Sequence, residues 1–300
     1  MTSLATSSAP LRGIVYMLLG GVFMTLNNAM LKWVSGYPPG QTLFLRGIFT
    51  VLSILVILAF LRQRGSLRIN SAGGHVFRAA CMIVSTFCFI LALRYLPLGE
   101  TIAITFAGPL FLTAMATPFL GEVVGWRRWM AVVVGFVGIL VISRPTEEAF
   151  QMAALLPLTA AFLAAVRDLV TRRITVSESS WAILMTTTIG LMAAGLCTLP
   201  FGWRMPTLVD ALIMAGSGIF VTAGHFYFID TFRHAETGLV SPFKYLSIVW
   251  AAAIGFFVWG EVPDSWMLAG TTLVVGSGLY ILHRELVRHR RVQHTPPPTA

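Results

Sequence analysis

Charge is what this sequence has least of. Twelve acidic and 21 basic side chains in 300 residues amount to 11%, less than half of the roughly 25% usual in a soluble globule. A chain of this length could bury a large core in water, but its outer face would lack polar cover, so the surface must face lipid. Cysteine is scarce as well. Cys81, Cys88 and Cys197 sit in apolar runs without CxxC spacing or polar flanks, which excludes a disulfide framework or thiolate metal site and leaves small buried hydrophobes. No stretch between apolar runs is long enough for a separate soluble domain. HxxxH, paired intramembrane aspartates and a Ser/His arrangement are all missing, and His225 and Asp230 lie roughly 140° apart around a helix, so a membrane enzyme is not expected. Without a ring of acidic or carbonyl-rich repeats, a channel is disfavoured too. Residues 1–12 are short and polar, and the first apolar run is too long for a signal-peptide core, so it reads as a retained first helix.

Apolar side chains, by contrast, make up 56% of the chain, and mean hydropathy is +0.80. A hydrocarbon core of roughly 30 Å needs about 20 apolar residues per helix. Runs of that size fall at about 13–34, 41–61, 76–96, 99–120, 127–143, 152–172, 181–201, 208–230, 238–259 and 266–283. The expected fold is an all-α integral membrane protein of ten transmembrane helices, joined by short turns such as Tyr37-Pro38-Pro39-Gly40. The net charge of +9 lies in short clusters between spans, a topology signal rather than a nucleic-acid patch. With the N-terminus inside, inner loops and tails hold Arg12, Arg62, Arg64, Arg68, Arg78, Arg127, Arg128, Arg172, Arg173, Arg233, Arg284, Arg288, Arg290 and Arg291. The outside keeps four cations, Lys32, Arg94, Arg144 and Arg204. Both termini are therefore expected in the cytoplasm, with the basic tail near anionic lipid headgroups.

The two halves echo each other at an offset of about 140 residues. Asn27-Asn28 aligns with Arg167-Asp168, Lys32 with Arg172, and Arg94 with Arg233. Gly121-Glu122-Val123 recurs as Gly260-Glu261-Val262, and Gly138 as Gly278. Units 1–145 and 146–285 then hold five spans each, with a basic tail at 286–300. Five is odd, so the second unit enters the membrane upside down. Inverted repeats of this kind are a common plan of secondary transporters, whose copies can exchange conformations around a midplane site.

Arg94-Tyr-Leu-Pro-Leu-Gly-Glu100, Pro109, Leu-Gly-Glu122, Trp126-Arg-Arg-Trp129, Gly135-Phe-Val-Gly138 and Arg144-Pro145 together resemble the EamA repeat of the drug/metabolite transporter superfamily. Ser241-Pro-Phe-Lys-Tyr245, Val249-Trp-Ala251 and Trp259-Gly-Glu-Val-Pro263 resemble its ninth-helix pattern. Within the superfamily the chain is most similar to YddG-type bacterial amino-acid exporters. The resemblance implies export of aromatic and other neutral amino acids across the bacterial inner membrane; drug-like cations or nucleoside-type metabolites are the alternative cargo. No cofactor is expected, and the oligomeric state, monomer or homodimer, is open. In one departure from strict repetition, Pro109 lies thirteen residues before Glu122 but Pro242 nineteen before Glu261.

An ionisable group at mid-helix costs roughly 2.5–3.5 kcal/mol on insertion scales, so each needs a partner or a reason. Arg167 and Asp168 in the sixth span, with their repeat equivalent Asn27, are candidate gate residues; an interhelical ion pair or a snorkelling arginine is the plainer reading. As neighbours in sequence they are not expected to face each other. Lys244 follows Pro242, whose ring frees a carbonyl, and could meet a substrate carboxylate or snorkel to the headgroups. Arg46 has the same plain reading. Thr101, Thr105, Pro109, Thr113 and Thr117 recur every four residues, as a cavity wall or as hydroxyls bonded to their own helix. His225, a candidate proton carrier, and Tyr227, Tyr245 and Trp250 could supply aromatic walls and cation–π contacts to an ammonium. Asn28 and Ser241 complete the expected substrate contacts. Gly135, Gly138, Gly270, Gly276 and Gly278 predict close packing of the fifth and tenth helices.

Overall fold

A computed structural model describes residues 8–60, 67, 69, 71–120, 126–143, 148–174, 178–234 and 243–293. Its elements are α1 (Ser8–Trp33), α2 (Pro39–Phe60), α3 (Ala72–Tyr95), α4 (Leu98–Thr105), α5 (Gly108–Leu120), α6 (Trp126–Ser143), α7 (Glu148–Ile174), α8 (Ser180–Leu196), α9 (Leu208–His234), α10 (Leu246–Trp259) and α11 (Ser265–Gln293). Five stretches are long and apolar enough to cross a bilayer, and five shorter apolar helices bring the spans to ten. The chain is a multi-pass membrane protein.

The fourth span is two helices, because Phe106 and Ala107 form a turn between α4 and α5. Pro109, second residue of α5, lacks an N–H and crowds the preceding turn, which a first helical turn tolerates and an interior does not. The four-residue stripe is therefore not one face of one helix. Thr101 Oγ1 donates to the Pro97 carbonyl at 2.9 Å and Thr105 Oγ1 to that of Ile102 at 2.7 Å, so these hydroxyls serve their own helix. The side chains of Thr113 and Thr117, like all of Gly121, Glu122, Val123, Ser241 and Pro242, lie outside the described residues. The third span starts four residues earlier than expected, at Ala72, and Arg78, counted with the inner-loop cations, lies in its second turn. His75 explains the early start: it is buried there, 3.4 Å from Glu178, whose carboxylate also accepts from the Ser71 N–H at 2.7 Å.

The principal partner of α1 is α9, of α3 α7, of α2 α8, of α6 α11 and of α4 α10. In span order these pairs are first with eighth, third with sixth, second with seventh, fifth with tenth and fourth with ninth. Exchanging the two halves turns the first pair into the second and leaves the other three unchanged, as two inverted five-helix repeats require. Lipid tails are as apolar as leucine, so such pairs are held by close contact of small residues. The crossing of α6 and α11 shows this: a Cβ on Gly138 would lie 2.8 Å from the Gly270 carbonyl oxygen, and one on Gly270 would lie 2.5 Å from that of Gly138.

One end of the bundle is knitted by polar contacts. Lys32 pairs with Glu261, donates to the Leu96 carbonyl at 3.0 Å, and sits 5.4 Å from the Trp259 ring centroid. The second Glu261 oxygen accepts from the Leu98 N–H at 2.9 Å, satisfying an orphan amide at the start of α4. Gly260, at φ 69°, ends α10 in the left-handed conformation and turns Glu261 back into this knot. Arg94 holds the Ser35 and Tyr37 carbonyls, and the Arg204 guanidinium lies 4.9 Å from the Tyr37 ring centroid. Tyr37 Oη donates to Asp210 at 2.7 Å. Three of the four cations counted as outer are thus engaged in tying helix ends together.

Candidate functional site

A cavity of about 620 Å³ lies among α2, α3, α7, α8 and α9, within the 300–1,000 Å³ typical of small-molecule sites. Helical spacing builds its walls. Leu43, Arg46, Gly47 and Thr50 share one face of α2; Arg78 and Met82 come from α3; Arg167, Asp168 and Thr171 come from α7. Thr187 and Thr188 of α8 and Val221 and His225 of α9 close the ring, with Ile183, Leu184 and Leu191 as its apolar part.

The charges in this lining are three arginines against one aspartate, +3 and −1, a net +2. Arg167 donates to Asp168 Oδ1 through Nε at 2.9 Å and Nη2 at 2.7 Å. Neighbouring residues were not expected to face each other; here the long arginine side chain curls back along α7 to reach its short neighbour, while both still line the cavity. Arg78 donates through Nε to Thr171 at 2.8 Å and through Nη1 to Thr187, bridging α3, α7 and α8. Arg46 Nη1 reaches Asn27 Oδ1 at 3.4 Å. His225 Nδ1 lies 2.8 Å from the Val221 carbonyl. A carbonyl only accepts, so Nδ1 carries the proton, and in the neutral ring Nε2 is an acceptor.

Of the residues singled out in the sequence, His225, Arg167, Asp168 and Arg46 line the cavity; Arg46, read as a cation snorkelling to the headgroups, is instead buried in the wall because it sits on the inward face of α2. Asn27 is buried just behind it, accepting from Ser217 Oγ at 2.7 Å and bracing Arg46. Asn28 accepts from Asn27 at 3.0 Å and is not part of the wall. Tyr227 packs between α1 and α9 against Tyr16 and Phe23. Tyr245 stacks on Phe106 at 4.8 Å, against α4. Trp250 and Pro109 are exposed, as is Lys244 at the foot of the ninth span, and Thr105 is bonded within α4. The wall residues Thr50, Arg78, Thr171, Thr187 and Thr188 were not singled out. Their signals were an arginine beyond the helix start and the run Thr186-Thr187-Thr188 inside an apolar helix.

Ten spans in two inverted halves, enclosing a charged and hydroxyl-bearing cavity, follow a plan common among secondary transporters. Residues 11–144 match the EamA-like transporter family. It is 28% identical to a riboflavin transporter of Vibrio cholerae over 94% of this chain and 96% of that one. An S-adenosylmethionine uptake transporter of Rickettsia felis is 25% identical over 92% and 94%. A pseudopaline exporter of Pseudomonas aeruginosa is 24% identical over 88% and 93%. A protein crystal structure shares the fold with a TM-score of 0.64 at 16% identity, over 95% of this chain and 99% of that one. These relatives are transporters rather than enzymes and are not amino-acid exporters by name, so the resemblance to YddG-type proteins holds at the level of the family.

Proposed function

We propose that the chain is a secondary transporter working by alternating access, with the cavity among α2, α3, α7, α8 and α9 as its substrate site. The observation that carries the reading is a cavity of about 620 Å³ with three arginines, an aspartate and a histidine in its wall, inside a lipid-facing bundle. Charged groups at membrane depth are costly, face the bundle interior or a wet cavity, and commonly mark substrate pathways. The cavity has room for more than a free amino acid, and the relatives carry riboflavin and S-adenosylmethionine. These favour a larger heteroaromatic metabolite, nucleoside-like or flavin-like, over the neutral amino acids first expected. We take 1–145 and 146–285 as the two repeats. We take both termini as cytoplasmic in a bacterial inner-membrane protein, with the Lys32–Glu261 end outside, a reading that the cation count supports. That end is knitted shut, so the cavity belongs to an inward-facing arrangement.

The test is flux into liposomes holding purified protein, with labelled riboflavin, S-adenosylmethionine and a mixture of neutral amino acids. Saturable flux of one of the two larger compounds, above that of the amino acids, is the expected result. Rates equal to empty liposomes for all three would discard the reading. In the same assay Arg78→Gln is expected to lower flux about tenfold, because charge-assisted bonds joining three walls of the site are lost. An unchanged rate would remove Arg78 from the site.

A further inference from the structure

We infer that Arg46 is the anion-recognition residue of the cavity, its guanidinium receiving a carboxylate or phosphate group of the transported metabolite. The inference deepens the transport reading and rests on it. What distinguishes the three cavity arginines is what answers their charge. Arg167 has Asp168, and Arg78 has two threonine hydroxyls. Arg46 is only 7% exposed and, among the described residues, has one long bond of 3.4 Å to Asn27 Oδ1, an oxygen that already accepts from Ser217. No carboxylate of the described residues forms an ion pair with it. A guanidinium carries five N–H donors in a fixed fork, so most of them are left for whatever fills the cavity beside it.

The root of this side chain is held firmly. Thr50 Oγ1 donates to the Arg46 carbonyl at 3.1 Å and lies 3.3 Å from that of Gly218. A Cβ on Gly218 would come within 2.6 Å of the Arg46 carbonyl oxygen, so α9 presses directly on the backbone of α2 at this point. A fixed, buried cation without a counter-ion among the described residues, inside a net-positive cavity, calls for a planar or tetrahedral oxyanion, which the fork can grip with two bonds at once. A neutral or cationic head group would leave the charge unanswered.

Two matched pairs of probes test this on purified protein by equilibrium binding: riboflavin 5′-phosphate against riboflavin, and tryptophan against tryptamine. In at least one pair the oxyanion-bearing member is expected to bind about tenfold more tightly, and which pair shows it tells phosphate from carboxylate. Arg46→Gln should erase that preference, weakening the oxyanion-bearing member about tenfold more than the other. Should that variant fold poorly, Asn27→Asp offers an independent route: it keeps the acceptor for Ser217, supplies Arg46 with an internal counter-ion, and should erase the same preference with Arg46 intact. Equal binding within both pairs, equal weakening of both members by the two variants, or no saturable binding of any probe overturns the inference. The flux assay above decides separately whether the transport reading falls with it.

Discussion

Glu261→Gln is expected to lower the stability of the folded protein by about 3 kcal/mol, the order seen when one partner of a largely buried ion pair is removed. The side chains of Lys32 and Glu261 are 11% and 20% exposed, so the ammonium left behind cannot recover its full hydration. Glutamine retains an oxygen for the Leu98 N–H, which isolates the lost charge as the cause. Removing both charges, Lys32→Met with Glu261→Gln, should restore much of the loss, because the cost lies in the stranded cation rather than in the missing pair. Thermal unfolding in detergent reads both effects. A single variant as stable as the parent would mean that the knot between α1, α4 and α10 contributes nothing to stability.

Gly138→Val should be at least as damaging. Its Cβ alone would stand 2.8 Å from the Gly270 carbonyl oxygen and 2.8 Å from Leu273 Cβ. Backbone on the far side cannot rotate away as a side chain can, so α6 and α11 must separate, at a cost of about 3 kcal/mol or more. Gly276, also on α11, has nothing within 4 Å of where its Cβ would be, and Gly276→Ala is the matched control, expected to be silent. Monodispersity on size exclusion together with the melting temperature distinguishes the two. A tolerated Gly138→Val would show that the crossing is looser than its geometry.

Much of the fold was legible in the sequence, and the reason is the solvent. Hydrocarbon forces every span to be apolar and helical, so run length counted the helices, and the recurrence near 140 residues divided them into two related halves. What it missed were breaks and starts. The turn at Phe106 and Ala107 is marked by the Gly108-Pro109 pair that follows it, which was read as part of one continuous span, and Arg78, counted with the loop cations, is a wall of the cavity. Of the candidate cavity's wall, the residues that stood out in the sequence were the ionisable ones, Arg46, Arg167, Asp168 and His225. Aromatics misled, because Tyr227, Tyr245 and Trp250 look alike in sequence whether they face a cavity, a neighbouring helix or lipid. In water a polar stripe marks the exposed face of a helix; in a bilayer, lipid and packed neighbours are equally apolar. Only hydroxyl-bearing positions such as Thr187 and Thr188 could have marked the inward one.

The imbalance of +2 in the cavity wall also has an electrical meaning. An elementary charge carried through the whole transmembrane voltage is worth about 2.3 kcal/mol per 100 mV. An empty carrier of this kind is drawn to present its positive cleft to the negative side of the membrane, and a bound anion cancels that pull, so the resting voltage would bias which way the unloaded protein waits.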